Sequence, residues 1–187
     1  MRTRDLEKQK RIKEAMVQLF LREGMSSASI AKIAKEAGVS PATIYIYYDS
    51  KEAMMAEVFH EYSQRSYGYM MHCVRPEMTG RELIDAIVRG YYSFSREYED
   101  VFSFVEQCSL CPTLSQVVSL KECCCDIMDL FHRYQRQGIM KDISESVLGA
   151  VLFAPVKQLA HDHKSPASKQ QKELDELIGL LQDLLVR

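Results

Sequence analysis

Apolar residues recur every three or four positions along most of the chain, which is the spacing of an amphipathic α-helix. No stretch shows the alternation of apolar and polar residues that is typical of a β-strand. Residues 1–11 are polar and are predicted to fray, and residues 101–110 form a short apolar piece. The stripes and their Gly and Pro breaks predict helices at residues 12–24, 29–38, 41–48, 51–73, 81–98, 113–137, 144–163 and, after a polar linker at 164–171, at the end of the chain. The pattern therefore predicts an all-α protein.

The most informative stretch is residues 29–51. Ser29 is placed to cap one short helix, and Gly38 ends that helix because glycine adopts a positive φ without strain. Ser40 and Pro41 then start a second short helix, with a capping hydroxyl followed by a proline at the first helical position. Two short helices joined by a glycine-containing turn make a helix-turn-helix motif, whose second helix lies in the major groove of DNA.

The second helix carries the side chains that we expect to meet DNA. Its first residues are small, and they lie at the end that comes closest to base edges. Tyrosine hydroxyls further along it can reach phosphate, as can Lys51 together with the open N–H groups of the next helix. An ordinary helical hairpin would have the same Ser-Pro and Gly breaks, but the tyrosines and the Ser-Lys-Glu start have no evident role in a core. The predicted DNA-binding residues are Ser29, Ser40, Pro41, Ala42, Thr43, Tyr45, Ile46, Tyr47 and Lys51.

Residues 12–54 resemble the DNA-binding domain of the TetR family of bacterial transcriptional regulators. The matching residues are Ile12, Ala15, Leu19, Phe20, Gly24, Ser29, Ile30, Ile33, Ala34, Ala37, Gly38, Val39, Ser40, Thr43, Ile44, Tyr45, Tyr47, Tyr48, Ser50, Lys51 and Glu52. Two positions differ: Tyr47 stands where the family often has His, and Ile46 where a large aromatic or basic residue is frequent. The resemblance implies an N-terminal three-helix helix-turn-helix domain, placed at residues 6–66, and a C-terminal helical effector-binding and dimerisation domain at residues 67–187.

The distribution of charge agrees with a DNA-facing N-terminus. Residues 1–52 contain ten Lys or Arg and seven Asp or Glu, whereas the whole chain has a formal net charge of −2. A basic N-terminal part on an acidic body is expected when one end faces DNA. No apolar run is long enough to cross a bilayer, and the N-terminus does not look like a signal peptide, so we expect a soluble, cytoplasmic protein with no membrane partner.

The last two helices have apolar surfaces wider than a single neighbour would cover. A helix-turn-helix protein usually recognises two half-sites, and two-fold symmetry is the simplest way to present two recognition helices. The resemblance implies that these helices pair with those of a second subunit, while the alternative is that they form the core of a monomer. The predicted partners are a pseudo-palindromic double-stranded DNA operator and a second copy of the chain. The predicted dimer interface comprises Leu148, Val151, Leu152, Leu159, Leu177, Leu181 and Leu184.

Aromatic and Met residues are frequent on the middle helices. Most of them must belong to the core, but a cavity lined by such residues is also the usual form of an apolar small-molecule site. The resemblance implies that an effector binds here and moves the DNA-binding helices apart. The predicted effector pocket comprises Phe59, Tyr62, Met70, Tyr91, Phe94, Phe104, Cys108, Met128 and Phe131. The resemblance favours a repressor that is released from its operator by a small, mostly apolar ligand.

Six cysteines leave a second possibility open. Cys108 and Cys111 form a C-x2-C pair, and a run at 123–125 supplies more thiols, which suggests a redox- or metal-responsive regulator. Consecutive helical residues point about 100° apart, so the run cannot direct all three thiols at one centre, and packing is the simpler interpretation. None of the five histidines lies in a nucleophile or metal motif, so we predict no catalytic residue, metal ligand or cofactor. A helical enzyme and a non-DNA-binding interaction protein remain the other classes.

Overall fold

The computed structural model describes residues 2–24, 27–111, 120–162 and 165–187, with side chains at 5–24, 27–111, 126–162 and 165–187. These residues fold into helices joined by short turns, and their only β pairing is an isolated antiparallel bridge between Met140 and Val186. None of the helices in these ranges is long and apolar enough to cross a membrane. The helices are α1 (Arg2–Glu23), α2 (Ile30–Ala37), α3 (Pro41–Tyr47), α4 (Lys51–His72), α5 (Gly80–Glu97), α6 (Glu99–Ser109), α7 (Leu120–Arg136), α8 (Glu145–Ala160) and α9 (Ala167–Leu185). The all-α prediction is confirmed.

The structure differs from the predicted elements at three places. Residues 2–11, which were predicted to fray, are helical: α1 begins at Arg2 and runs without a break into its apolar part. The short apolar piece is a helix, α6, with Phe102, Phe104 and Cys108 buried. The last helix begins at Ala167, inside the predicted polar linker and directly after Pro166, which occupies the N-cap position. The first part of the predicted 113–137 helix lies outside the described residues.

The chain forms two compact units, and the first contains Met1–Ser63 and Asp100–Leu120. Its core combines α1, α2, α3, the first half of α4 and α6. The ring of Phe104 on α6 packs edge-on against Phe20 of α1, with centroids 5.1 Å apart, and lies 6.1 Å from the ring of Tyr62 on α4. The sequence assigned everything after residue 66 to a second domain, whereas these aromatic contacts place α6 with the N-terminal helices.

The second unit contains Gln64–Glu99 and Lys121–Arg187. In it, α5 packs against α8 and α9, which also pack against each other. Near the end of α4 the backbones come very close, since a Cβ added to Gly90 of α5 would lie 3.3 Å from the Cα of Met70 and 3.2 Å from the sulfur of Cys73. Only glycine fits there without displacing a backbone atom.

Candidate DNA-binding site

Short-range hydrogen bonds fix the ends of α2 and α3. The Ser29 hydroxyl accepts from the backbone N–H of Lys32 at 3.3 Å, and the Ser40 hydroxyl accepts from the N–H of Thr43 at 3.2 Å. Gly38 has a φ of 64° and a ψ of 39°, the left-handed conformation that closes a helix. The helix-turn-helix therefore forms where the cap residues predict it.

The α3 helix has one buried face and one open face. Ile44 is fully buried, and Tyr48, just after the helix, is also in the core. Tyr45 and Ile46 are 57% and 77% exposed, and Ala42 is exposed beside them. Large apolar side chains held in solvent on the second helix of a helix-turn-helix form a surface of the kind that enters a DNA groove.

Tyr47 is held by a residue that the sequence did not single out. Its hydroxyl donates a hydrogen bond of 3.0 Å to a carboxylate oxygen of Asp5 on α1. Partial burial and this carboxylate raise the pKa of Tyr47, so the phenol stays protonated and remains a donor. No local sequence signal links Asp5 to Tyr47, because the contact depends on how α1 packs.

The start of α4 carries the remaining predicted DNA-binding residue. The Ser50 hydroxyl accepts from the N–H of Ala53 at 3.0 Å and so caps the helix, and Lys51 is its first residue and is half-buried. A lysine at a capped helix start combines a side-chain charge with the positive end of the helix dipole.

Ion pairs join α1 to α2 beside the motif. Lys32 is 2.6 Å from Glu23, and Arg22 is 3.3 Å from Glu36. Exposed pairs of this kind contribute little stability, typically about 0–1 kcal/mol. Their role is to hold α1 and α2 in one relative orientation.

The predicted effector residues separate between the two units. Phe59, Tyr62, Phe104 and Cys108 belong to the core cluster of the first unit. Met70, Tyr91, Phe94 and Phe131 are buried in the second unit, where Met128 is half-buried. The structure therefore assigns these nine residues to two cores.

The predicted dimer residues also fall into two groups. Leu148, Leu152 and Leu181 are buried within the protomer, so they pack in its own core and are not available at its surface. Val151, Leu159 and Leu177 are half-buried, and Leu184 is 52% exposed. Two other exposed residues of these helices were not among the predicted dimer residues: the exposed fraction is 69% for Leu180 and 50% for Val147. Helical spacing could have identified Leu180, because it lies three residues after Leu177 and four before Leu184.

Cys108 is not placed to react as a thiol in the folded protein. Cys108 is fully buried, and this burial, with a smaller effect of Cys111, raises the pKa of its thiol to about 12. The side chains of Cys123, Cys124 and Cys125 lie outside the described residues. Among the residues with described side chains, no group of three or more His, Cys, Asp or Glu could hold a metal ion.

A capped helix-turn-helix with an open second helix is the motif with which many transcription regulators bind the major groove of DNA. Residues 12–58 match the family described as bacterial regulatory proteins, TetR family. Residues 12–58 therefore have the DNA-binding domain of the TetR family, which is a family of transcription regulators.

Similar proteins extend the match beyond the motif. An HTH-type transcriptional regulator of Haemophilus influenzae is 26% identical over 152 residues, which cover 78% of each chain. The fatty acid metabolism regulator protein of Bacillus subtilis is 30% identical over 91 residues, 46% of this chain and 47% of that protein. The crystal structure of a TetR family transcription regulator from Marinobacter aquaeolei superposes with a TM-score of 0.84 at 22% identity, covering 100% of this chain and 99% of that one. This last likeness shows that the two chains share a fold.

Proposed function

We propose that the protein is a homodimeric, cytoplasmic repressor that binds a pseudo-palindromic operator and releases it when a small, mostly apolar ligand binds. The observation that carries the proposal is the α3 surface, where Tyr45 and Ile46 stand in solvent on a helix that is capped at Ser40. Neighbouring large apolar side chains that are exposed in this way mark a surface that a partner covers.

The proposed DNA contacts divide by chemistry. Pro41, Ala42, Thr43, Tyr45 and Ile46 face base edges in the major groove, because they lie on the second helix of the motif. Phosphate contacts come from the hydroxyl of Tyr47, from Lys51 and from the capping region at Ser29. Phosphate contacts set position and salt dependence, whereas base contacts set sequence preference.

The proposed dimer uses the outer faces of α8 and α9. Leu177, Leu180 and Leu184 share one side of α9, and Val147 and Val151 share one side of α8. Their exposure favours an apolar partner, and a second copy of the chain supplies one with the symmetry that two half-sites require.

The proposed ligand is apolar because the buried residues of the middle helices are aromatic, aliphatic and Met. A relative of this chain is named a fatty acid metabolism regulator, so fatty acids belong among the first compounds to test. In the second unit, Met70, Tyr91, Phe94 and Phe131 are the candidate lining residues.

Selection of duplexes from a random library with the purified protein tests the proposal directly. We expect one enriched sequence with two inverted half-sites, and we expect a fatty acid or another apolar compound to weaken its binding. If no sequence is enriched from the library, the proposed DNA-binding function is wrong. If the enriched sequence lacks two half-sites, the proposal of a dimer on a pseudo-palindromic operator is wrong.

The salt dependence of binding tests the phosphate contact at Lys51. For the enriched duplex, Lys51→Ala should reduce the slope of log affinity against log salt by about one for each lysine lost. The same substitution should weaken all duplexes by a similar factor, because phosphates carry no sequence information. An unchanged slope would assign the contact to another residue. Lys172, an exposed lysine on α9 that pairs with Glu176 at 3.7 Å, provides the control substitution to Ala.

A further inference from the structure

The α3 helix has an unusual composition for a helix that recognises DNA bases. Its seven residues are Pro, Ala, Thr, Ile, Tyr, Ile and Tyr, so it contains no charged and no carboxamide side chain. Guanine is usually recognised by Arg or Lys, adenine by Asn or Gln, and cytosine by Asp or Glu. None of these pairings is available to α3.

Two of the three hydroxyls on α3 are already engaged. The side chain of Thr43 lies 2.9 Å from the capping hydroxyl of Ser40, and the hydroxyl of Tyr47 donates to Asp5. The exposed face that remains consists of Pro41, Ala42, Tyr45 and Ile46, and the hydroxyl of Tyr45 is the polar side-chain group on it. This face is largely apolar.

The major groove presents one apolar group, the 5-methyl group of thymine. We propose that α3 recognises thymine through contact of the Ile46 side chain with this methyl group, so that each operator half-site has a thymine facing Ile46. The inference rests on the proposed DNA-binding function and deepens it, because it names the base chemistry that the helix selects.

Basic residues elsewhere in the motif do not supply the missing base contacts. Lys32 and Lys35 lie on α2, the helix that crosses the DNA backbone in this motif, and Lys32 is paired with Glu23 at 2.6 Å. On this proposal α2 faces the phosphates, and base selection in the major groove falls to α3.

Deoxyuridine provides the test, because it has every hydrogen-bonding group of thymidine and lacks only the methyl group. The duplex enriched by selection is prepared with each thymine replaced in turn, symmetrically in both half-sites, and binding is measured by fluorescence anisotropy at fixed salt. At one thymine per half-site we expect about fourfold weaker binding for each methyl removed, or roughly 15-fold for the symmetric pair. Cytosine and 5-methylcytosine at that position should differ in the same direction.

Variants then assign the contact to one side chain. Ile46→Ala should bind the thymine and deoxyuridine duplexes with affinities within twofold of each other. Ile46→Val, which loses one methyl group, should keep part of the difference and remains measurable if the alanine variant binds too weakly. Leu110→Ala is the control, because Leu110 is as exposed as Ile46, at 79%, and lies outside the motif just after α6; it should discriminate like the unmodified protein.

The possible results separate the inference from the function on which it rests. If a duplex is enriched but no deoxyuridine substitution changes its affinity by more than twofold, the inference is wrong and DNA binding stands. Discrimination that persists undiminished in Ile46→Ala also overturns it. If no duplex is enriched from the library, the proposed function fails first.

Discussion

The hydrogen bond between Asp5 and Tyr47 places a carboxylate beside a hydroxyl that we expect to contact phosphate. A DNA phosphate and Asp5 would compete for the same donor, and their negative charges would repel each other. We therefore predict that Asp5→Asn raises the affinity for the selected duplex by about two- to fivefold at low salt, with a smaller gain at high salt because exposed charges are screened. Anisotropy titrations at two salt concentrations measure this.

Two variants separate the specific contact from a general gain in positive charge. Glu7→Gln removes an exposed carboxylate two residues further along α1 and should have a smaller effect. In a Tyr47→Phe background, Asp5→Asn should lose most of its benefit, because the shared donor is gone. Equal gains from Asp5→Asn and Glu7→Gln would mean that only net charge matters.

The burial of Cys108 determines whether this thiol can act as a sensor. Thiolates react and thiols do not, and burial raises the pKa of Cys108 to about 12. We predict that iodoacetamide at pH 8 modifies the exposed Cys73 quickly and Cys108 only after unfolding. Peptide mass spectrometry measures both rates, with a sample in denaturant as the reference.

The same pKa makes a prediction for stability. The folded pKa of Cys108 lies above its ordinary value of 9.0, so the neutral thiol contributes stability that is present below pH 9 and is lost as the pH rises toward 12. A Cys108→Ala variant should lose less stability over this interval than the unmodified protein. Rapid labelling of Cys108, or operator release by oxidant that Cys108→Ser abolishes, would favour the thiol-responsive alternative.

Residue-level features were predictable where they are local. The capping roles of Ser29 and Ser40 and the left-handed turn at Gly38 depend on neighbours within four positions, so the sequence contains what is needed. The bond between Asp5 and Tyr47 spans 42 positions and forms only when α1 packs against the motif. The apolar pattern of a single helix cannot predict a hydrogen bond between two helices.

At the scale of elements, α9 shows what an apolar stripe leaves undecided. The helix carries two apolar stripes. The stripe that is buried in the protomer comprises Leu174, Ile178, Leu181 and Leu185. The outer stripe comprises Leu177, Leu180 and Leu184. Both have helical spacing and similar composition. The sequence therefore predicts an amphipathic helix with a wide apolar surface, but only the packing against α5 and α8 determines which stripe stays outside.

The outer stripe of α9 makes the dimer testable without disturbing the core. We predict that Leu180→Glu combined with Leu184→Glu shifts the protein to monomers at micromolar concentration, because it would bury unpaired charges at an apolar interface, a cost of several kcal/mol. The fold should persist, since both residues are more than half exposed. Sedimentation velocity and circular dichroism measure the two properties.

Matched substitutions at other positions act as controls for this interface. Leu110→Glu adds one such charge at an exposed position outside α9 and should leave the oligomeric state unchanged. Leu181→Glu should instead unfold the chain, because Leu181 is only 3% exposed. A doubly substituted protein that remains dimeric would place the interface on another surface.

At the scale of the whole molecule, α4 is the element that both units share. Its residues up to Ser63 belong to the first unit and those from Gln64 onward to the second. The family resemblance placed the domain boundary nearby, after residue 66, inside the helix that the apolar pattern predicts from Lys51 to residue 73. It could not assign α6 to the first unit, since that depends on the contact of Phe104 with Phe20, 84 positions apart.

We propose that the continuity of α4 provides a route for signalling from the second unit to the DNA. The helix begins at Lys51, where we propose a phosphate contact, and it contributes Met70 to the core of the second unit. Packed helices move as units and do not deform gradually, so a ligand held against the end of α4 would displace its start. In a dimer this changes the spacing of the two recognition helices, which must be near one turn of DNA, roughly 34–36 Å, or a multiple.

Ligand binding and operator binding are thermodynamically linked, because a ligand shifts an equilibrium only if it binds the two states with different affinity. If a fatty acid or another apolar compound weakens operator binding by a given factor, the operator must weaken binding of that compound by the same factor. Isothermal titration of the compound into free protein and into the operator complex measures the second factor, and anisotropy with and without the compound measures the first. A duplex of scrambled sequence is the control. Some compounds could release the operator although the operator does not change their affinity for the protein. Such a compound would not act through α4, and binding to the DNA itself is one alternative.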